Sequence, residues 1–564
     1  MALWLTAWAL ASEPASETPK EKVVFSGTED FELRYWRLDD RLPDFPDSRV
    51  LDYVEQVNRV TLDLSFRSGV KRASGPLTHS VSMQIDEVAL FANRYYLDEE
   101  LQIERDLTTP SLKPDYPGDW YINPEKWKYS VEGSEFSLAF GDSYAAFGRG
   151  IALNLNRNVD IDIDTSISGI KAVFRPGLWD VTAVMGQANR QQVYQDNPNV
   201  GLRPDVRHGI AGVRVERFGL GPINAGVHGV IYDFVQTEGL ASLSEPSVSD
   251  AIVGGGTVEA VGLGGVVDAY VEADIMGYTS TVPFGGEDPK LGYALYGSTS
   301  AYVGPTTWLF EVKRYKDSER INAATGPELY KMAVAPTLEY ERVVTEDSSS
   351  ALGSNDIVGA RLRMDWTAIP QTLVPYASVG IFRDNDLDGG HFNKVPETIF
   401  HPMVGVESVG EHLTLIANGG VRVDDRAGTA GGADRQIHAD VDFKYPLFKD
   451  FHGDVALNIE QFHWGNNPFQ QTDYFEVESA VSLQKGSMLA LTGFLDYSSN
   501  PLVDSTGNVG EDLYAAVEFQ VKPLSAMTIK AFYGSYKAGI RCSGGQCRLL
   551  PGFEGARVSL VASF

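Results

Sequence analysis

The chain closes on GARVSLVASF, residues 555–564, and the reading of that stretch decides the fold. Ala556, Val558, Leu560, Ala562 and Phe564 fall on one side of an extended strand. Arg557, Ser559 and Ser563 fall on the other, with Val561 alone out of place. Side chains of a strand alternate between its faces, so this is a strand with one oily and one wet side that runs to a final aromatic. The last residues of a soluble domain are usually frayed and hydrophilic, because nothing holds them down. A terminal strand of this kind is expected to be a full member of a sheet.

The same period recurs along the chain. In NRVTLDLSFR, Val60, Leu62, Leu64 and Phe66 oppose Thr61, Asp63, Ser65 and Arg67. In RQIHADVDFKY, Ile437, Ala439, Val441, Phe443 and Tyr445 oppose His438, Asp440, Asp442 and Lys444. ARLRMDW (360–366) and DLYAAVEFQVK (512–522) repeat the pattern. Each predicts a strand that meets apolar surroundings on one face and water on the other.

Connections sort by length. Short ones such as RPGLW, FGLGPI, YVGPTT and QKGSM alternate with longer polar ones near 189–205, 235–255, 384–396, 498–510 and 541–550. Membrane-spanning barrels sort their loops in this way, with short turns on the periplasmic side and long loops outside. The expected fold is therefore all-β: a single transmembrane antiparallel up-and-down β-barrel over residues 24–564, starting at FELRYWRL, of about 26 strands, in the range of about 22–26. The stretch YKMAVAPTLEYERVV (330–344) has to turn near Pro336 for the up-and-down parity to hold. A closed barrel has no edge only if its last strand pairs with its first, which explains the apolar ending.

Composition agrees. No uninterrupted apolar run approaches the roughly 18 residues that a spanning helix needs, so a helical membrane protein is excluded. The formal net charge of −29 repels nucleic acid and anionic surfaces and favours cations. No nucleic-acid partner is expected. Residues 1–11 carry an apolar stretch ending in Ala9-Leu10-Ala11, a small-x-small cleavage pattern, and are expected to be a secretory signal peptide without the usual positive start. A polar linker, residues 12–23, follows.

Two cysteines occur, Cys542 and Cys547, in RCSGGQCRLL. Two thiols without a nearby His are a poor zinc site, and a local disulfide across a loop tip, formed in an oxidising compartment, is the expectation.

Two resemblances extend this reading. The alternating end closed by Phe564, with Leu560 and Val558 on its apolar face, resembles the C-terminal signal by which Gram-negative barrels are recognised by the barrel assembly machinery. The stretch GDSYAAFGRGIALNLNRNVDIDIDTSISGIKAVFRPG, residues 141–177, is similar to the signature of a family of large outer-membrane barrels known only as a domain of unknown function. The likeness runs from about residue 24 to the end. It implies a porin-like barrel in the bacterial outer membrane, among outer-membrane lipids, and supplies no substrate.

Candidate sites are few. Asp160, Asp162 and Asp164 alternate with Ile161 and Ile163, which sets three carboxylates about 7 Å apart along one side of an extended chain. With Arg149 they could line a constriction made by a loop folded into the lumen, where opposed charges select polar solutes. The plainer reading, an ordinary lumen-facing strand with solvated acids, is favoured because lumen faces are polar by default. FRDNDLDGGHF carries Asp384, Asp386 and Asp388 before Gly389, the opening of a Ca2+ loop. Its twelfth position is Val395 rather than Glu, so a solvated acidic loop is the better reading and no resident cofactor is expected beyond this candidate calcium site.

No G-x-S-x-G, H-E-x-x-H or phosphate-binding loop is present, so the chain is not expected to be an enzyme. The leading reading is a porin-like outer-membrane barrel for passive passage of polar solutes or a polymer. The rival is a structural barrel that anchors a secretion, motility or envelope complex, with residues 92–127 long enough to plug the pore or dock a partner. An energised receptor is disfavoured, since the roughly 40 residues after the signal are too few for a folded plug domain.

Overall fold

Strands with one wet and one oily face bury nothing alone, and here they pair in chain order until the sheet meets itself. In a computed structural model, the described residues are 23–37, 49–50, 53–68, 75–91, 95–96, 120–158, 163–189, 207–233, 247–282, 286–317, 356–384, 397–410, 413–426, 433–464, 472–499, 513–537, 539–543, 546–550 and 553–564. Among them there is no helix, and one sheet of 24 strands dominates.

The first eight strands of that sheet are β1 (Val24–Trp36), β2 (Tyr53–Ser68), β3 (Leu77–Phe91), β4 (Trp120–Glu132), β5 (Phe136–Ser143), β6 (Ile167–Phe174), β7 (Trp179–Asn189) and β8 (Arg207–Leu220). The next eight are β9 (Ile223–Asp233), β10 (Ser247–Leu263), β11 (Val267–Val282), β12 (Gly286–Val303), β13 (Thr306–Lys316), β14 (Asp356–Trp366), β15 (Leu373–Asp384) and β16 (Glu397–Val409). The last eight are β17 (Thr414–Arg426), β18 (Asp434–Phe448), β19 (Phe451–Trp464), β20 (Thr472–Lys485), β21 (Leu489–Ser498), β22 (Leu513–Leu524), β23 (Met527–Tyr536) and β24 (Phe553–Ser563). Every neighbouring pair is antiparallel, and β24 pairs with β1, Thr28 opposite Ser563 and Trp36 opposite Gly555.

The terminal aromatic takes part in this closure. Gly27 N–H donates to Phe564 O at 2.8 Å, and Phe564 N–H donates to Gly27 O at 2.9 Å. The rings of Phe25 and Phe564 lie 6.2 Å apart beside them. A Cβ on Gly27 would stand 2.6 Å from the Phe564 ring, so only glycine leaves that ring its place at the seam.

The strand number is 24, two short of the central expectation of 26 and inside its range. One place where the count falls short is the connection after β13. β13 pairs directly with β14, Thr306 opposite Trp366 and Lys316 opposite Asp356, so the two strands expected on either side of Pro336 have no place between them. Pro336 itself lies outside the described residues, as do residues 1–22 with the expected signal and most of the linker.

Alternation along each strand sorts the two faces of the wall. On β9 to β11 the outward Val227, Ile231, Ile252 and Ile275 are all more than half-exposed, while His228, Val230, Tyr232, Val253 and Asp274 between them are buried. An exposed apolar surface repeated around a closed sheet is stable only against lipid. Outward aromatics gather at the short turns: Phe174 and Trp179 flank one, Tyr302 and Trp308 another, Trp366 and Phe448 two more. Rings of this type sit at the headgroup level of a bilayer. The longer connections leave the opposite end, and one of them, residues 144–166 between β5 and β6, turns inward.

Candidate functional site, the inward segment and its wall

The segment 144–166 begins where β5 ends. Ala145–Phe147 pairs with Leu153–Leu155 as a small hairpin separate from the barrel sheet. Its tight turn is built on Gly148 and Gly150, both at positive φ (59° and 91°), with Gly150 N–H bonded to Phe147 O at 3.0 Å. These conformations suit glycine, which accounts for the F-G-R-G spelling. Thr165 N–H bonds Asn156 O at 2.9 Å and returns the chain towards β6.

Apolar residues hold this hairpin inside the barrel. Phe147, Ile151, Ala152, Leu153 and Leu155 are buried, in one cluster with lumen-facing residues of the wall. The wall residues include Val184 of β7, Ile210 of β8, Val230 and Tyr232 of β9, Val253 of β10, Met276 of β11, Tyr296 of β12 and Phe382 of β15. Strands β9 to β11 therefore carry apolar side chains on both faces, and their inner row also holds the buried polar groups of His228, Glu272 and Asp274. Each large side chain buried in this way contributes about 1.5–3 kcal/mol. Gly212 of β8 makes room for the ring of Phe147, since a Cβ there would lie 2.8 Å from Phe147 Cε2.

Polar contacts fix the orientation. Arg149 N–H donates to Glu272 Oε2 at 2.8 Å, and Tyr270 Oη donates to the same oxygen at 2.6 Å. The Arg149 guanidinium lies over the Tyr270 ring, 4.9 Å from its centroid, and is exposed. Tyr232 Oη donates to Ala152 O. At the root of the segment Lys171 Nζ donates to Tyr144 O at 2.6 Å. Asp142 accepts from Trp127 N at 2.9 Å and from Ser166 Oγ at 3.3 Å.

The inner wall also carries paired charges, both within this clustered region and on strands farther round the barrel. Arg59 makes a forked contact with Asp86 at 3.1–3.2 Å, Arg422 another with Asp424 at 2.8–3.1 Å, and Arg361 pairs with Glu311. Tyr296 Oη donates to Glu311 Oε1 at 2.7 Å. His401 and His438 meet Nε2 to Nε2 at 2.9 Å.

The expected site residues divide. Arg149 sits in the tight turn of the small hairpin, beside Tyr270 and Glu272 of the wall. Asp164 lies in a two-residue strand, Ile163–Asp164, whose backbone pairs Asp164 with Arg157; Asp160 and Asp162 lie outside the described residues. Asp384 is the last residue of β15, opposite Ile357 and Glu397, and Asp386 and Asp388 lie outside the described residues. The short hairpin Gly539–Ser543 with Gln546–Leu550 sets Cys542 directly opposite Cys547. Val558 and Leu560 occupy the outward row of β24, opposite Leu33 and Phe31 of β1.

Reading the sequence alone missed Phe147, Tyr270, Glu272, Asp274 and His228. One local signal was available: HGVIYD and DAIV place apolar residues at consecutive positions, where a wall that faces open water on its inner side would alternate.

No family model matches the chain, and no curated protein matches it. Among solved structures it is similar to the siderophore receptor PirA from Pseudomonas aeruginosa, with 9% identity over 97% of this chain and 81% of that one, at a TM-score of 0.48. It is similar to a variant of the ferric enterobactin receptor PfeA from the same organism, solved with enterobactin, with 9% identity over 97% and 82% of the two chains and a TM-score of 0.49. The outer-membrane protein OpdK from Pseudomonas aeruginosa shares 13% identity over 75% of this chain and 99% of its own, at a TM-score of 0.36. At such scores these likenesses assign nothing to this chain. Its own closed sheet and outward apolar belt decide the class. This is an outer-membrane β-barrel.

Proposed function

We propose that the chain is a porin-like barrel, of the family its 141–177 stretch resembles, that passes small polar solutes down their gradients through a lumen narrowed by the segment 144–166. The supporting observation is the make-up of the inner wall: an apolar cluster runs from the hairpin Ala145–Leu155 along β7 to β16, while paired charges that tolerate water lie on β2 and β3 (Arg59–Asp86), within the clustered region on β13 and β14 (Arg361–Glu311), and on β17 (Arg422–Asp424). A lumen wall with no aqueous path has no reason to keep that polar lining. The width of a barrel grows with strand number, and 16 to 18 strands already leave an aqueous channel, so 24 strands leave room beside an inward hairpin. The net charge of −29 favours cations over anions in the approach to such a pore.

The test is passage itself. Proteoliposomes holding the purified barrel should swell in isotonic solutions of small sugars and amino acids, with rates falling as solute size rises, and a salt gradient should give a cation-selective reversal potential. A barrel that inserts and migrates as a folded species, yet passes no solute and carries no current, would sink this reading and leave the anchoring role for an envelope complex in its place.

A further inference from the structure

We propose that His228, Glu272 and Asp274 form a divalent-cation site in the inner wall, of the class that binds a first-row transition ion such as Zn2+ through one imidazole nitrogen and two carboxylates, directly beneath the turn of the inward segment. The register builds it. His228 of β9 stands opposite Gly255 of β10, and Gly255 stands opposite Asp274 of β11. The middle strand has no side chain in that row, so the outer two meet across it: His228 Nε2 and Asp274 Oδ1 are 2.5 Å apart. A Cβ on Gly255 would run into Asp274 Oδ1. Glu272 lies two residues before Asp274 on the same face, and one ligand atom from each of the three side chains falls within 4.8 Å of the others.

Burial turns this proximity into a binding argument. The side chains of His228 and Asp274 have no exposed surface, and Glu272 is fully buried. One polar atom of each, His228 Nδ1, Glu272 Oε1 and Asp274 Oδ2, has no hydrogen-bond partner. Two carboxylates and one imidazole out of contact with water are costly unless a cation compensates them. One nitrogen and two oxygens suit Zn2+ or Mn2+ better than Ca2+, which takes six to eight oxygens.

The position suggests what an ion does there. Glu272 is the carboxylate that accepts the backbone N–H of Arg149 and the hydroxyl of Tyr270, and its Oε1 is pressed against Gly148. An ion that fixes Glu272 stiffens the attachment of the hairpin to the wall. The site is independent of whether the lumen conducts, because it rests on the wall and the turn alone.

The test uses the full-length barrel in detergent, stripped with EDTA and titrated with ZnCl2, with bound metal counted by plasma mass spectrometry and affinity measured by calorimetry. One Zn2+ per chain is expected. Asp274→Asn and His228→Gln should each weaken binding by at least about tenfold, whereas Asp386→Asn, in the acidic loop, should leave it unchanged. Zinc-edge X-ray absorption on the wild type keeps the proposal testable if either variant fails to fold. It should show one imidazole and oxygen ligands at about 2.0–2.2 Å. A sulfur ligand would assign the metal to the cysteines, two imidazoles would assign it to His401 and His438, and either result, or no zinc above background, would overturn the site.

Discussion

Replacing Phe147 with Ala should loosen the inward segment without disturbing the barrel. Phe147 is fully buried, its ring 6.2 Å from the His228 ring and in contact with the space left by Gly212. Truncating a buried Phe to Ala costs about 3–5 kcal/mol, because the surroundings relax only partly into the cavity. None of that cost falls on the ladder of the 24-stranded sheet, since the hairpin pairs only with itself. It falls on the equilibrium between docked and undocked segment, which at about 1.4 kcal/mol per decade shifts by roughly 100-fold or more. Ile151, Leu153, Leu155 and the Arg149 contact to Glu272 still hold the docked state in the majority. The observable is therefore noise: single channels in planar bilayers should show frequent excursions to higher conductance. Ala146→Ser, on the exposed side of the same short strand, should behave as wild type. Equal noise in wild type and Phe147→Ala, with both proteins inserted, would refute the claim that this ring holds the segment in the lumen.

Other predictions address the seam, the cysteines and the constriction. Deleting Phe564, or replacing Gly27 with Val so that a side chain meets its ring, should lower the amount of barrel that reaches the outer membrane and migrates heat-modifiably on gels; wild-type levels in both would remove the role given to the closing pair. Directly opposed residues of an antiparallel pair have Cα atoms about 4.5–5.5 Å apart, within the span of a disulfide, so Cys542 and Cys547 in intact cells should resist thiol reagents until a reductant is added and then label from outside. Labelling without reductant would show the thiols free, and labelling only after permeabilisation would invert the topology. Replacing Arg149 with Glu removes the guanidinium placed over Tyr270 at the turn and should raise cation selectivity in reversal-potential measurements; an unchanged ratio would take Arg149 out of the ion path.

Much of this could be read from the chain before any coordinates. The period-two pattern of residues 555–564 is local, and closure follows from it by the cost of an unpaired edge in lipid. The sorting of short and long connections is local as well, and the pairing of β1 with β24 agrees with both. The segment 330–344 misled the count because alternation shows that a stretch can be a strand, whereas membership in the sheet is decided by the direct pairing of β13 with β14. Arg149 could be placed by the glycines on either side of it, since F-G-R-G spells a tight turn. The triad of His228, Glu272 and Asp274 could not. It depends on the register of three strands and on the missing side chain at Gly255, and residues 46 apart in the chain give no sign in sequence that they touch. Local periodicity reports which face a residue takes, and only pairing reports its neighbour.

The most direct test is the single-channel conductance of the wild type against a variant in which residues 145–165 are replaced by a short Gly-Ser turn between β5 and β6. Both should insert, since the sheet does not draw on the hairpin, and the shortened barrel should conduct several-fold more current with weaker discrimination by solute size. Equal conductance in the two proteins would contradict the account, because it would mean that the inward segment does not narrow the path.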